Sequence, residues 1–155
     1  TTLWLLRRSC EMAQLPDQWF TELHALALSS LPFLDARTAV AFLDAAVPAR
    51  CLDRASPRLR SWLDLYRAVA GRDALRMGQA AESLLEANEA MDPAMRQYVL
   101  AAAMLGGLAD RHPEQVIQLW ENHRDLADDI NALPDLRLIL NMALSQQSES
   151  AANGR

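Results

Sequence analysis

Lysine is absent from this chain of 155 residues, so all 15 basic side chains are arginines; 20 acidic residues give a net charge of −5. We give the missing lysine no mechanistic weight, because a composition rich in alanine and arginine is typical of GC-rich bacterial genomes. The acidic balance disfavours a phosphate-binding surface as the main role, so nucleic acid is not an expected partner. A bacterial source is the expectation from this composition.

Glycine and cysteine are also scarce, with five and two residues. The glycines never form the GxGxxG or GxxxxGK patterns that hold phosphates, and no serine lies in a nucleophile elbow. The three histidines stand at no metal-binding spacing from one another or from a cysteine. We therefore expect no enzyme, no cofactor and no metal site at His24, His112 or His123. Cys10 and Cys51 form no CxxC pair and are expected as free thiols in a reducing cytoplasm, with a disulfide between them left open.

Long apolar runs and strand patterns are missing as well. No run approaches the roughly 20 residues that cross a bilayer, and the longest candidate, residues 98–109, indicates a buried helix. Apolar residues nevertheless make up 51% of the chain, and alanine and leucine favour helix. The sequence predicts an all-α protein with no membrane insertion by this segment, while an association of a longer parent protein with a membrane stays open.

Prolines stand where four amphipathic runs begin: Pro16, Pro57, Pro93 and Pro134, at intervals of 41, 36 and 41 residues. Proline suits the first turn of a helix, and this spacing accommodates two helices and two turns, the unit of an α-solenoid. We expect seven or eight helices in stacked antiparallel hairpins. They form one domain over residues 1–144, followed by a disordered tail over 145–155. The opening Thr-Thr and the polar end suggest the C-terminal part of a longer protein.

Local signals predict several helix ends. Asp35 is expected to cap one helix, and Gly71 to adopt the left-handed conformation after another. Leu75 is assigned to the buried face of the helix that follows. Residues 125–131 read as a solvated polar turn before the last helix, which is expected to end near Leu144.

The region 57–124 resembles the tetratricopeptide repeat family. The resemblance depends on Trp62, Leu63 and Tyr66 in a first helix and on the turn Gly71-Arg72-Asp73. It continues with Ala81, Leu84 and Leu85 in a second helix and closes with Asp92-Pro93. It implies a right-handed superhelix whose concave face, lined by the first helix of each pair, binds a peptide or protein.

The residues expected in such a groove lie mainly on the helix after Pro57. Arg60, Asp64 and Arg67 project away from the Trp62–Tyr66 face, and the arginines could clamp a carboxylate of a peptide. Gln97 and Glu22 are expected to flank them. The alternative is a set of ordinary surface charges paired along one helix. Trp4 is assigned to a contact with another domain or a second copy, so a homodimer is possible.

A second charged strip consists of Glu82, Glu86 and Glu89, spaced along one side of a helix. It could receive a basic peptide or form a solvated outer face. The sequence therefore predicts a non-catalytic interaction module. The alternatives are a structural C-terminal domain that packs on a neighbour or self-associates, and an enzyme with an all-α active site.

Overall fold

The computed structural model of the chain describes residues 33–46, 57–87, 91, 93–129 and 133–154. Seven helices and no strand lie in these ranges, which confirms the all-α prediction. In chain order the helices are α1 (Ala36–Ala46), α2 (Pro57–Ala70), α3 (Ala74–Glu86), α4 (Pro93–Ala109), α5 (Pro113–Asn122), α6 (Arg124–Ala127) and α7 (Pro134–Asn153). Within the same ranges, none of the helices combines the length and hydropathy that crossing a bilayer requires.

Helix starts follow the prolines. Pro57, Pro93, Pro113 and Pro134 are the first residues of α2, α4, α5 and α7. Each lacks an N–H that would have no partner in the first turn, and its φ is already near the helical value. Pro16 lies outside the described residues.

Asp35 caps α1 as predicted. The Thr38 backbone N–H donates to Asp35 Oδ1 at 3.0 Å, and the Thr38 hydroxyl donates to Oδ2 at 2.6 Å. The bond from the Thr38 side chain, followed by the bond from its backbone, lowers the pKa of Asp35 below its ordinary value of 3.8. The carboxylate thus satisfies one of the unpaired N–H groups of the first turn.

The end of α2 corrects the prediction for Gly71. Its N–H still bonds one full turn back, to the Arg67 carbonyl at 2.9 Å, so Gly71 is the C-cap residue directly after α2 and does not take the left-handed conformation. The next residue, Arg72, takes the left-handed conformation with φ of 54°. The N–H groups of Arg72 and Asp73 bond back to the carbonyls of Val69 at 3.1 Å and Ala68 at 2.9 Å. This pair of bonds is the Schellman arrangement that closes a helix.

The same device ends α4. Arg111 has φ of 60°, its N–H bonds to the Leu108 carbonyl at 3.2 Å, and the next N–H bonds to Gly107 at 3.0 Å. At the end of α2, the Arg72 guanidinium also donates to the Leu34 carbonyl at 3.1 Å. Two arginines therefore hold positions where glycine is the usual residue.

The chain divides into two compact units, Thr1–Asp73 and Ala74–Arg155. The sequence predicts one domain over residues 1–144 and no boundary near Asp73. The helices α2 and α3, which it pairs in one hairpin, belong to different units. The stacked superhelix therefore stays a prediction.

In the first unit, α1 packs against α2. Ala39 and Leu43 of α1 are buried, and so are Trp62 and Tyr66 of α2, whose ring centroids lie 5.7 Å apart. The aromatic face predicted for α2 is therefore confirmed as core. Leu65 is also fully buried, although the predicted face does not include it.

In the second unit, α4 lies at the centre and packs against α3, α5 and α7. Its least polar stretch is buried on several sides, as the absence of charge predicts. The core of this unit contains these buried side chains: Leu100, Met104, Leu108, Val116, Trp120, Leu126, Ala127, Leu136, Ile139 and Ala143.

The closest approach of α3 and α4 occurs at two glycines, Gly78 and Gly106. A Cβ atom placed on Gly78 would lie 2.7 Å from the Gly106 Cα atom, well inside van der Waals contact. Only hydrogen atoms fit between the two backbones at this point. The pairing of α3 with α4 therefore depends on both glycines.

Three sequence predictions in this unit are wrong. Leu75 is 48% exposed, because nine positions at roughly 100° per residue place it opposite the buried Leu84. The region predicted as a polar turn overlaps α6, whose Leu126 and Ala127 are buried. The last helix continues to Asn153, where a disordered tail is predicted from residue 145.

The extension of α7 has a physical reason. The Gln146 side-chain amide donates to the Leu108 carbonyl at 3.2 Å, which joins this part of α7 to the end of α4. The residues from 145 to 153 carry no proline or glycine, and alanine, glutamine and glutamate support helix. Polarity alone does not end a helix.

Candidate binding site

The three residues predicted on α2 share one exposed side of that helix. Arg60, Asp64 and Arg67 are all exposed, as the sequence predicts. The Arg67 guanidinium donates to Asp44 of α1 at 2.7 Å, and the two side chains are 44% and 51% exposed. Arg67 therefore already has a carboxylate partner within its own unit.

The other predicted groove residues do not join them. Gln97 is only 5% exposed, and its side-chain oxygen accepts the Leu133 N–H at 3.3 Å. A buried amide that satisfies a backbone group is a structural element rather than a surface contact, so the assignment of Gln97 to the groove is wrong. Glu22 and Trp4 lie outside the described residues.

A pocket that the predicted groove does not include lies in the second unit, between α3 and α5. Its volume is about 380 Å³. Glu82, Leu85 and Glu86 form the α3 wall. The other wall is formed by α5 and the residue after it: Gln115, Gln118, Leu119, Asn122 and His123.

The floor of the pocket is apolar. Leu85 and Leu119 are partly buried and pack against the core of the second unit. Both keep part of their surface exposed. A ligand with apolar groups could cover that surface and gain hydrophobic free energy.

The rim is polar and its groups are oriented by one another. The Gln115 amide donates to the Glu82 carboxylate and so joins α5 to α3. The Gln118 amide donates to the Asn122 side-chain oxygen at 3.0 Å, and His123 Nδ1 lies 3.0 Å from the Leu119 carbonyl. Only an N–H can bond that carbonyl, so Nδ1 carries a proton.

The charge of the pocket is negative. Glu82 and Glu86 stand one helical turn apart on the same wall, and none of the lining residues is lysine or arginine. No serine, threonine or cysteine lies among them either. The lining thus consists of two carboxylates, three amides, one imidazole and apolar surface.

A second group of titratable side chains lies in the turn between α4 and α5. His112 Nδ1 is 3.1 Å from a Glu114 oxygen, and Nε2 is 3.4 Å from an Asp110 oxygen. The bond from the Glu114 backbone N–H, and then the His112 ring, lower the pKa of Glu114. His112 is expected as a capping or turn residue. It occupies the N-cap position of α5 but bonds Glu114 rather than the helix backbone.

The sequence contains part of the signal for the pocket. Glu82 and Glu86 belong to the strip that it offers as a site for a basic peptide, and Glu89 of that strip lies outside the described residues. On α5, Gln115, Gln118 and Asn122 recur at helical spacing around Leu119. What one sequence does not reveal is that these two faces meet, since that depends on the packing of both helices against α4.

Comparison of the chain with protein-family models, with curated proteins and with solved structures gives no match. The resemblance to tetratricopeptide repeats therefore stays a prediction.

Proposed function

We propose that this chain is a non-catalytic interaction module that binds a peptide or protein segment in the pocket between α3 and α5. The observation that supports the proposal is the apolar floor inside a negatively charged polar rim. In such a pocket the floor supplies affinity and the rim fixes the orientation of the ligand. A larger bacterial protein in the cytoplasm remains the proposed setting.

The α3–α5 pocket is a better position for this function than the predicted stripe on α2. Arg67 already binds Asp44, and Gln97 is buried away from any ligand. The pocket offers concave surface, which lets a few side chains of a partner contribute most of the binding free energy.

A peptide-display library panned against the immobilised chain tests the proposal. Gln118→Trp places an indole in the mouth of the pocket, and we expect enriched peptides to lose about tenfold or more in affinity for this variant. Glu121→Trp, on an exposed position of the same helix outside the pocket, is the matched control and should bind like the wild type.

The double variant Arg60→Ala/Arg67→Ala tests the stripe on α2 in the same assay. We expect it to retain the enriched peptides. Peptides that bind Gln118→Trp as well as the wild type would refute the pocket as the site, and loss of binding by the double variant would move the site to α2.

Self-association is a second candidate function, supported by exposed apolar side chains on α7. Leu138 is 58% exposed and Met142 is 48% exposed, and their spacing of four places them on one side of the helix. Exposed apolar groups that adjoin one another favour contact with a partner. This observation supports a homodimer through α7.

Light scattering across a concentration series tests this second candidate. The wild type should show a rising average mass, and Leu138→Gln/Met142→Gln should stay monomeric. Leu75→Gln, which changes a leucine on α3 that is 48% exposed, as Met142 is, is the control and should behave like the wild type. A wild type that is monomeric throughout would eliminate this candidate.

A further inference from the structure

We infer that the α3–α5 pocket receives an arginine side chain of the bound segment. The guanidinium would lie at the carboxylates of Glu82 and Glu86, and its methylene groups would cover Leu85 and Leu119. This inference rests on the proposed function and specifies the partner's chemistry.

The two carboxylates of the rim favour a cationic ligand group that donates, while the amides of Gln115, Gln118 and Asn122 present both donors and acceptors. Gln115 occupies one oxygen of Glu82 and holds that carboxylate in place, which leaves its second oxygen as an acceptor. The bond from Gln118 to Asn122 leaves the Gln118 oxygen as an acceptor. His123 donates through Nδ1, and in that tautomer Nε2 is an acceptor.

These acceptors match a guanidinium better than other cations. A guanidinium carries five N–H donors and no acceptor, binds carboxylates through two parallel bonds, and is weakly hydrated enough to lie on apolar surface. An ammonium is a compact and strongly hydrated charge. A hard metal ion prefers oxygen ligands and water on all sides, which the leucine floor does not supply.

The size of the pocket agrees with one side chain. A volume of about 380 Å³ lies at the lower end of the range for small-ligand pockets, roughly 300 to 1,000 Å³. A single arginine with part of its flanking backbone fits this class of pocket, whereas a large cofactor needs more room.

Titration of the full chain with three small probes, followed by NMR, tests the inference. The probes are n-butylguanidinium, n-butylammonium and n-butylurea, the last being the neutral analogue of the first. We expect butylguanidinium to shift the side-chain amide signals of Gln118 and Asn122 saturably. Butylammonium should bind several-fold more weakly, and butylurea should leave these signals unchanged.

Two variants connect the binding to the carboxylates. Glu82→Gln/Glu86→Gln should weaken butylguanidinium by about tenfold or more, because each glutamine keeps the shape but loses the charge that strengthens the bonds. Glu121→Gln removes an exposed charge outside the pocket and should change the affinity little. Unchanged backbone signals elsewhere establish that the double variant is folded.

The outcomes separate this inference from the proposed function. Equal binding of butylammonium and butylguanidinium, or no saturable shift with either, would overturn the arginine assignment. If panned peptides bind the pocket without a shared arginine, the interaction module stands and this inference fails. If butylguanidinium binds but no peptide does, the proposed function fails instead.

Discussion

Two arginines in the left-handed conformation show how single residues shape this molecule. Arg72 and Arg111 follow helices α2 and α4 at φ of 54° and 60°. In that conformation the Cβ atom of any residue but glycine crowds its own backbone, at a cost of roughly 1–2 kcal/mol. The hydrogen bonds of the two Schellman turns offset the free-energy cost of this backbone conformation.

Arg111→Gly should stabilise the protein by about 1 kcal/mol, because glycine removes the crowding at an exposed position. Thermal denaturation followed by circular dichroism measures the change as a higher melting temperature. Arg137→Gly, at an exposed position inside α7, is the control and should lower stability by a similar amount. A lower melting temperature for Arg111→Gly would mean that the Arg111 side chain stabilises the protein by more than its left-handed conformation costs.

Tyr98 gives the protein a predicted sensitivity to alkaline pH. Burial raises the pKa of its phenol from 10.0 to about 12, so the folded state resists ionisation that the unfolded state undergoes. The stabilisation is complete below pH 10 and is lost as the pH rises through 12, by about 3 kcal/mol in all. Melting temperatures from pH 9 to 12 should therefore fall more steeply for the wild type than for Tyr98→Phe. Parallel curves for the two proteins would exclude this role of Tyr98.

Single residues were predictable from sequence where the chemistry is local. Asp35 caps α1 as expected, because its partner Thr38 is only three positions away. Gly71 was assigned the wrong conformation, since the sequence does not fix which residue makes the last bond of α2. The role of Gln97 depends on Leu133, a partner 36 positions away in the chain. A local sequence pattern does not include a residue that far away, so it cannot predict this contact.

At the scale of helices, the sequence predicts where helices start but not which helices pack against each other. A proline marks the first residue of α2, α4, α5 and α7 through its own geometry. The pairing of α3 with α4 depends on Gly78 and Gly106. A glycine inside a helix costs about 1 kcal/mol of stability, so its presence there usually has a packing reason. These two interior glycines were the available signal for the pairing of α3 with α4.

Gly106→Ala should destabilise the second unit by about 1–3 kcal/mol, because the new methyl group meets the backbone of Gly78 rather than a movable side chain. Chemical denaturation gives the free energy of unfolding. Leu105→Ala is the control: it changes the neighbouring position, which is 36% exposed, and should cost less. A Gly106→Ala variant as stable as the wild type would show that α3 and α4 separate without penalty.

At the scale of the whole molecule, the boundary between the two units follows directly after a turn. Arg72 is exposed in that turn, next to Asp73, the last residue of the first unit. Trypsin cleaves this chain only after arginine, because it contains no lysine. Arginines inside helices such as α3 and α4 are protected, since a protease needs locally unfolded backbone.

Brief digestion with trypsin should release a resistant fragment that begins at Asp73. Mass spectrometry of samples taken over time identifies the fragment by its N-terminus. Arg72→Gln removes the cleavage site and should abolish this product while leaving the fold intact. Early cuts inside α3 or α4, ahead of the cut after Arg72, would contradict the division into units.

The candidate site illustrates the limit of a single sequence at this scale. Glu82 and Glu86 were recognised as a strip with two interpretations, but the pocket also needs the amides of α5. Those amides face Glu82 only because α3 and α5 both pack on α4. Their juxtaposition is a property of three helices together.

The glycine contact between α3 and α4 also fixes the register of the second unit. Sliding α4 by one turn towards its C-terminal end would bring Ala102 opposite Gly78, and a methyl group would then occupy space that only hydrogen atoms fill now. Because α5 and α7 also rest on α4, an axial shift of this one helix would displace both of them. The two glycines thus allow one axial alignment of α4 against α3 and make the alignments shifted by one turn unfavourable.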